Sequence, residues 1–376
     1  MKRQILGFVA TVGALFCLIQ TASGAMRGFM SPSREMTEQD FKDLQSWGAT
    51  LLRYQMRGAP CPANGQYSGV FRRDYLRWLD KKLDHLEQIL AWGVKYGISV
   101  VVDNHSVPGG KYSAEESEKK IGGAGLAHYD KIFYEDDFQE LFLDAWRIVA
   151  LRFKGCSGIY GYDLMNEPMQ FAKPTCGLYP LQGKAVQAIR AIDPGVAVIV
   201  ETNVYDAPQR FRDLPFLPYT NLIYSVHMYE PMDFTHQGVL PGKPKCAYPD
   251  AAEKPFGEKC FAEKASWTKE GLRKVLSDVR RFQLAHGARI YVGEFSAVSW
   301  AEGAEVWLKD ATELFAEYGW DWTYHAFREW PPWSIEHETD VWGKPGTFRK
   351  SSDNPRKRVI LEALKAEEKS PTGITE

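Results

Sequence analysis

Short apolar runs rich in β-branched and aromatic residues alternate with amphipathic helical stretches along almost the whole chain. "TLLRYQM" (50–56), "ISVVVDNH" (98–105), "GIYGYDLMN" (158–166), "VAVIVETN" (196–203), "NLIYSVHMY" (221–229), "RIYVGEF" (289–295) and "DWTYHAF" (321–327) read as strands. Several are apolar throughout, as strands covered on both faces must be. Between them, "DYLRWLDKKLDHLEQILAWGVKYG", "DFQELFLDAWRIVALRF", "YPLQGKAVQAIRAI", "WTKEGLRKVLSDVRRFQLAHG" and "AEVWLKDATELFAEYG" carry the spacing of helices with one apolar face. Such alternation requires parallel strands joined by crossover helices, in an open doubly wound sheet or a closed barrel. "MRGFM" near residue 26 supplies an eighth, short strand. Eight units, and no glycine-rich phosphate loop after the first strand, favour a single-domain α/β fold, the (β/α)8 TIM barrel.

The ends of the chain indicate where it works. "MKRQ" is basic, "ILGFVATVGALFCLI" is an apolar run of signal-peptide length, and "TASGA" offers small residues for cleavage. We expect a leader over 1–25 and a secreted or periplasmic protein. The apolar run is shorter than the ~20 residues of a spanning helix, which disfavours an uncleaved anchor. The catalytic domain then covers 26–366, with an insertion at about 235–266 and a frayed tail over 367–376. Loss of Lys2 and Arg3 takes the formal charge from −2 to −4, which provides no field for nucleic acid or anionic lipid. Twelve Trp and 18 Tyr suit a protein that stacks rings on sugars. A monomer is the default expectation.

Five cysteines remain after leader removal, so one must stay unpaired in an oxidising compartment. Cys246 with Cys260 is the favoured disulfide, because the two bracket an aperiodic Pro- and Gly-rich loop. Cys61 with Cys176 is a second expectation, leaving Cys156 reduced. No CxxC or HxxxH spacing suggests a metal site, and no cofactor is implied.

In a TIM barrel the active site lies at the carboxyl-terminal ends of the strands. Polar residues fall at those ends: Arg53 in the second strand, His105 after the third, Asn166 and Glu167 after the fourth, His227 and Tyr229 at the sixth, Glu294 in the seventh, and Trp330 just past the eighth. Two glutamates on opposite sides of one mouth suit glycosidic bond cleavage. One donates a proton to the leaving oxygen; the other attacks the anomeric carbon if the two are about 5 to 5.5 Å apart. Arg53 would then hold the attacking carboxylate ionised, and a bell-shaped pH profile follows.

These motifs resemble glycoside hydrolase family 5, in the clan of retaining (β/α)8 hydrolases that includes cellulases, mannanases and exo-glucanases. "YDLMNEP" is similar to the fourth-strand motif, which implies an acid/base at Glu167 and a sugar-binding Asn166. "IYVGEFSA" is similar to the seventh-strand motif, which implies a nucleophile at Glu294. "LLRYQM", "VVVDNHSVPGG" and "SVHMYEP" match the family's Arg, His and His-x-Tyr positions at Arg53, His105, His227 and Tyr229. The ending "WTYHAFREWPPWSIEHE" departs from the pattern, so the sugar-stacking ring is Trp330, with Phe327 and Trp333 as alternatives. The resemblance implies a β-1,4-glucan substrate, with β-mannan or β-1,3-glucan as alternatives. From another class, the rival is a non-catalytic carbohydrate-binding barrel.

Overall fold

The computed structural model describes residues 24–366 except 114–115, 117–128, 172, 240–244, 256–263, 340 and 345–346. Most of the expected leader, the expected tail and Cys260 therefore lie outside the described residues. Eight parallel strands close into a barrel: β1 (Arg27–Met30), β2 (Leu51–Gln55), β3 (Ser99–Asp103), β4 (Ile159–Asp163), β5 (Val198–Val200), β6 (Leu222–Met228), β7 (Arg289–Phe295) and β8 (Asp321–Tyr324). Closure is made where β1 pairs with β8, Arg27 facing Trp322 and Phe29 facing Tyr324. Each strand is the apolar run expected, and the residues of β6 are buried from end to end, as a strand with the barrel interior on one face and helices on the other must be.

Among the described residues, the helices longer than one turn are α1 (Glu38–Trp47), α2 (Gly69–Tyr96), α3 (Asp136–Arg152), α4 (Leu178–Arg190), α5 (Lys269–Val275), α6 (Ser277–His286), α7 (Ala304–Tyr318) and α8 (Pro355–Lys365). Local chemistry sets their ends. The Ser68 hydroxyl accepts the Phe71 N–H at 3.1 Å to start α2, and Gly97, in the left-handed region at φ 69°, stops it. Along α2, Phe71, Tyr75, Leu79, Leu83 and Leu86 are buried, a stripe at helical spacing turned onto the barrel. The stretch "WTKEGLRKVLSDVRRFQLAHG", expected as one helix, is divided at Leu276 into α5 and α6. After β5 a 3-10 segment, Pro208–Asp213, replaces a full crossover helix.

Inside the barrel the side chains form two layers. Leu51, Val101, Ile199, Ile223 and Tyr291, none with exposed surface, make an apolar plug toward the amino-terminal end. Above it, Arg53, Asp103, Asp163, Glu201 and Ser225, equally buried, make a polar layer under the mouth.

In the insertion after β6, Asp250–Pro255 and Lys264–Trp267 form an antiparallel hairpin. Ala265 and Trp267 are buried in the main core, and Tyr248 donates its hydroxyl to Asp310 of α7 at 2.7 Å. The described part of the insertion thus docks on the helical layer, and His236 is its contribution to the cavity wall. The expected pairing of Cys61 with Cys176 is not made, and both carry free thiols. Cys61 is exposed in the loop after β2, whereas the Cys176 thiol points to the Gly177 carbonyl, 3.8 Å away, at the start of α4. Cys156 is also a free thiol.

Candidate active site

A β-bulge aims Glu294. Pairing between β6 and β7 runs Val226 to Val292 and then His227 to Glu294, so Gly293 is the extra residue. Without the bulge, strict alternation from the inward-facing Tyr291 would turn residue 294 outward; the extra residue returns Glu294 to the interior. Glycine is required there by space. A Cβ on residue 293 would lie 2.8 Å from His227 Nε2 and 2.9 Å from Ser225 Oγ.

Arg53 is the hub of the polar layer. Its Nη1 donates to Glu294 Oε1 at 2.7 Å, its Nε to Asp163 Oδ2 at 3.0 Å, and its Nη2 to Asn166 Oδ1 at 3.0 Å and Glu201 Oε1 at 3.1 Å. Asp103 Oδ1 lies 3.3 Å from the same nitrogen. Burial opposes the guanidinium charge, but Asp103, Asp163, Glu294 and Glu201 together hold its pKa well above the ordinary value. The carboxylates outnumber the cation. Burial, opposed by Arg53 and reinforced by Asp103, pushes Asp163 up to about 7. Burial with the charges of Asp163 and Asp206 pushes Glu201 well up.

Glu294 is the exception in this layer. Burial favours its neutral form, yet the charges of His227, His325 and Arg53 and a hydrogen bond from His325 hold it well below the usual carboxylate range. Its Oε2 accepts the Tyr229 hydroxyl at 2.8 Å.

Glu167 ends the β4 segment at φ 47°, a left-handed conformation uncommon for a residue with a Cβ. Its N–H is held by Glu201 Oε2 at 2.6 Å, and its Oε1 meets His227 Nδ1 at 3.0 Å. Its side chain keeps 27% exposure, so it faces the mouth rather than the layer beneath. One atom each from Glu167, His227 and Glu294 lie within 4.8 Å of one another.

A cavity of about 660 Å³ opens over these carboxylates. Asn166, Glu167, His105, His227, Tyr229 and Glu294 all line it. His105 is oriented by Asp103, its Nδ1 2.8 Å from Oδ2. Of the three rings considered after β8, Trp330 and Trp333 line the cavity, packed edge to face at 5.0 Å. Phe327 is buried against Phe29 and Trp47 in the outer core. Every residue expected from the sequence therefore converges here, Arg53 from below and the others on the cavity wall.

A model of the cellulase family, glycosyl hydrolase family 5, matches residues 18–328. The chain belongs to that family. It is a glycoside hydrolase. Endoglucanase C of Acetivibrio thermocellus is 24% identical over 300 residues, covering 75% of this chain and 81% of the relative. Cellodextrinase A of Ruminococcus flavefaciens is 22% identical over 285 residues, covering 75% of each. Cel5A of Thermotoga maritima, solved in complex with cellobiose, superposes with a TM-score of 0.63 at 18% identity, covering 91% of this chain and 98% of that one.

Three residues of this family 5 enzyme's site escaped the sequence reading. His325, the first residue after β8, has Nδ1 3.1 Å from Glu294 Oε2 and 2.6 Å from the Tyr229 hydroxyl. Glu329 lies 3.6 Å from its Nε2. Glu201 sits at the end of β5, where the rule that selected Glu167 and Glu294 would also have found it.

Among the described residues, two groups of side chains bring potential metal ligands together: Glu167, His227 and Glu294, and the buried Glu201, Asp206 and His227. In the first, Glu294 already takes Arg53, Tyr229 and His325. In the second, a cation would share Glu201 Oε1 with the Arg53 guanidinium 3.1 Å away, a like charge that opposes it.

Proposed function

We propose that this family 5 enzyme is a retaining β-glycosidase that cleaves a β-linked glucan, most simply a β-1,4-glucan, with Glu294 as nucleophile and Glu167 as general acid/base. The observation that carries the reading is the approach of the two carboxylates, with one oxygen of each within 4.8 Å. Inverting enzymes need about 6.5 to 9.5 Å to admit a water between them, whereas about 5 to 5.5 Å suits direct attack on the sugar.

The electrostatics support these roles. Glu294 is buried yet anionic and is held at both oxygens, which suits a nucleophile whose direction of attack must be fixed. Glu167 is partly exposed at the mouth, beside His227, where a leaving oxygen would depart. In the first step the Glu294 carboxylate bonds to the anomeric carbon as the glycosidic C–O bond breaks and Glu167 gives its proton to the leaving oxygen. In the second, Glu167 takes a proton from water, which attacks the same carbon and releases Glu294. Asn166, with its Oδ1 committed to Arg53, is left with its amide N–H groups for sugar hydroxyls. Trp330 and Trp333 supply apolar faces for a pyranose.

The names of the relatives, an endoglucanase and a cellodextrinase, support a glucan over other β-glycans. The basic, apolar and small-residue pattern of residues 1–25 supports export, where a polysaccharide substrate is met, and we propose that the enzyme acts as a secreted or periplasmic monomer.

The test is hydrolysis of a panel of β-1,4-glucans, β-1,3-glucans and β-mannans by wild type and Glu294→Ala, with anomeric configuration followed by NMR. β-Configured products from wild type and loss of turnover in the variant are expected. α-Configured initial products would overturn retention. Binding of glycans without hydrolysis of any would favour a carbohydrate-binding barrel.

A further inference from the structure

Glu294 Oε1 is held by Arg53; its Oε2 is held by two groups that also touch each other. The Tyr229 hydroxyl is 2.8 Å from Oε2 and 2.6 Å from His325 Nδ1, and Nδ1 is itself 3.1 Å from Oε2. Tyr229 has one hydroxyl hydrogen to give. The far nitrogen of His325 faces Glu329 Oε2 at 3.6 Å. Glu329 is anchored from the β1 and β2 side by the Ser33 hydroxyl, by Gln55 Nε2 at 3.1 Å and by Arg57 at 3.4 Å. Trp333 covers the imidazole with ring centroids 4.8 Å apart.

We propose that His325 is a positioning residue for Glu294, an imidazolium clamped between Glu294 and Glu329 that keeps both of its own donors and that of Tyr229 turned to their acceptors. The proposal rests on the reading of Glu294 as nucleophile. A neutral imidazole carries one N–H, and the negative charge of Glu329, 3.6 Å from Nε2, favours its place there. Nδ1 is then a bare acceptor 2.6 Å from the Tyr229 hydroxyl, which turns to it and leaves Glu294 Oε2 with no donor from this side. The imidazolium has both N–H groups. It donates to Glu294, and Tyr229 donates to Glu294 as well. The charges around the ring favour that form. Burial opposes it, but Glu294 and Glu329 raise the His325 pKa to about 9. Arg53 and His227, 4.0 Å from Glu294 Oε2, act on the ring through that carboxylate.

The test uses 2,4-dinitrophenyl β-cellobioside, whose leaving group needs no proton, so that kcat/KM against pH reports Glu294 and its supports rather than Glu167. Wild type should lose activity as pH rises through about 9. Glu329→Gln should move that limb down by about one unit or more, since an opposite charge close to the ring is lost. His325→Gln, which keeps one donor and cannot titrate, should abolish the limb and lower kcat about 10- to 100-fold at neutral pH, the loss of one charge-assisted hydrogen bond. Independently of any substrate, ¹⁵N NMR of the imidazole should give a titration above the ordinary histidine value in wild type and a lower one in Glu329→Gln. A limb unmoved in both variants, or a loss even across all pH values, would overturn the proposal. An unshifted NMR titration would do the same. Retained activity in Glu294→Ala would instead overturn the nucleophile assignment, and failure of wild type to cleave the cellobioside would overturn the glucan reading, leaving the NMR titration to decide on His325.

Discussion

The carboxyl group of Glu201 accepts the main-chain N–H of Glu167 at 2.6 Å. Its other oxygen is 3.1 Å from Arg53, which in turn donates to Glu294. One buried side chain thus ties the backbone of the mouth-facing glutamate to the cation that holds the other. Gln182 of α4 fixes Glu201 from behind, donating to its carbonyl at 2.8 Å and accepting its N–H at 3.1 Å.

Glu201→Ala should therefore leave Glu167 free to abandon its left-handed conformation and leave Arg53 short of a partner. A lost hydrogen bond to a charged group costs about 1.5–3 kcal/mol, which in rate is about 10- to 100-fold. The expected result is a fall in kcat of that size with little change in KM, read by steady-state kinetics. A change confined to KM would contradict it.

Gly293→Ala should be damaging out of proportion to one methyl group. The added carbon would press on His227 and Ser225, and overpacking of this kind costs about 1–3 kcal/mol. It would also push His227 off Glu167. Thermal melting should fall by several degrees, and activity on a β-glucan should fall further than the melting shift accounts for.

The raised pKa of His325 makes a stability prediction of definite sign. Its folded value of about 9 lies above its ordinary 6.5, so the charged form stabilises the folded chain fully below pH 6.5, and that contribution is lost as pH rises through 9. The difference in melting temperature between wild type and His325→Gln should be greatest below pH 6.5 and shrink above 9. Glu329, which burial would raise but the His325 hydrogen bond and charge bring down to about 2, remains charged through that range and does not blur the comparison.

Trp330→Ala and Trp333→Ala should act on binding. Ring contacts are worth about 0.5–1.5 kcal/mol beyond area burial, so each change should raise KM about 2- to 10-fold on a soluble glucan. Trp333 also stacks on Tyr229 at 5.6 Å and covers His325, so its removal should lower kcat as well, whereas Trp330→Ala should not.

The barrel was legible because its strands are apolar on both faces, a pattern that a short sequence window carries complete. The same property exposed Arg53, Asn166, Glu167 and Glu294, since a polar residue closing such a run has no ordinary reason to be there. Glu201 fell under the same rule, but β5 is short, Val198–Val200, and "ETN" reads equally well as the start of a polar loop. His325 sits between Tyr324 and Ala326 in a stretch that looks like core, and its partners come from just past β6, from β7 and from the segment after β8. Nothing local marks it. The bulge at Gly293 depends on pairing between two strands more than 60 residues apart in sequence, and a single run cannot reveal it. The Cys61 and Cys176 expectation had no pattern behind it, only a count.

The apolar plug of Leu51, Val101, Ile199, Ile223 and Tyr291 seals the barrel below Arg53. Among the described residues, solvent that reaches Glu167 and Glu294 arrives through the same cavity that would admit the glycan. Under the proposed double displacement, sugar and water would take turns at that mouth, so a departing chain that lingers there would exclude the water meant to follow it, and an alcohol supplied in its place would enter on equal terms.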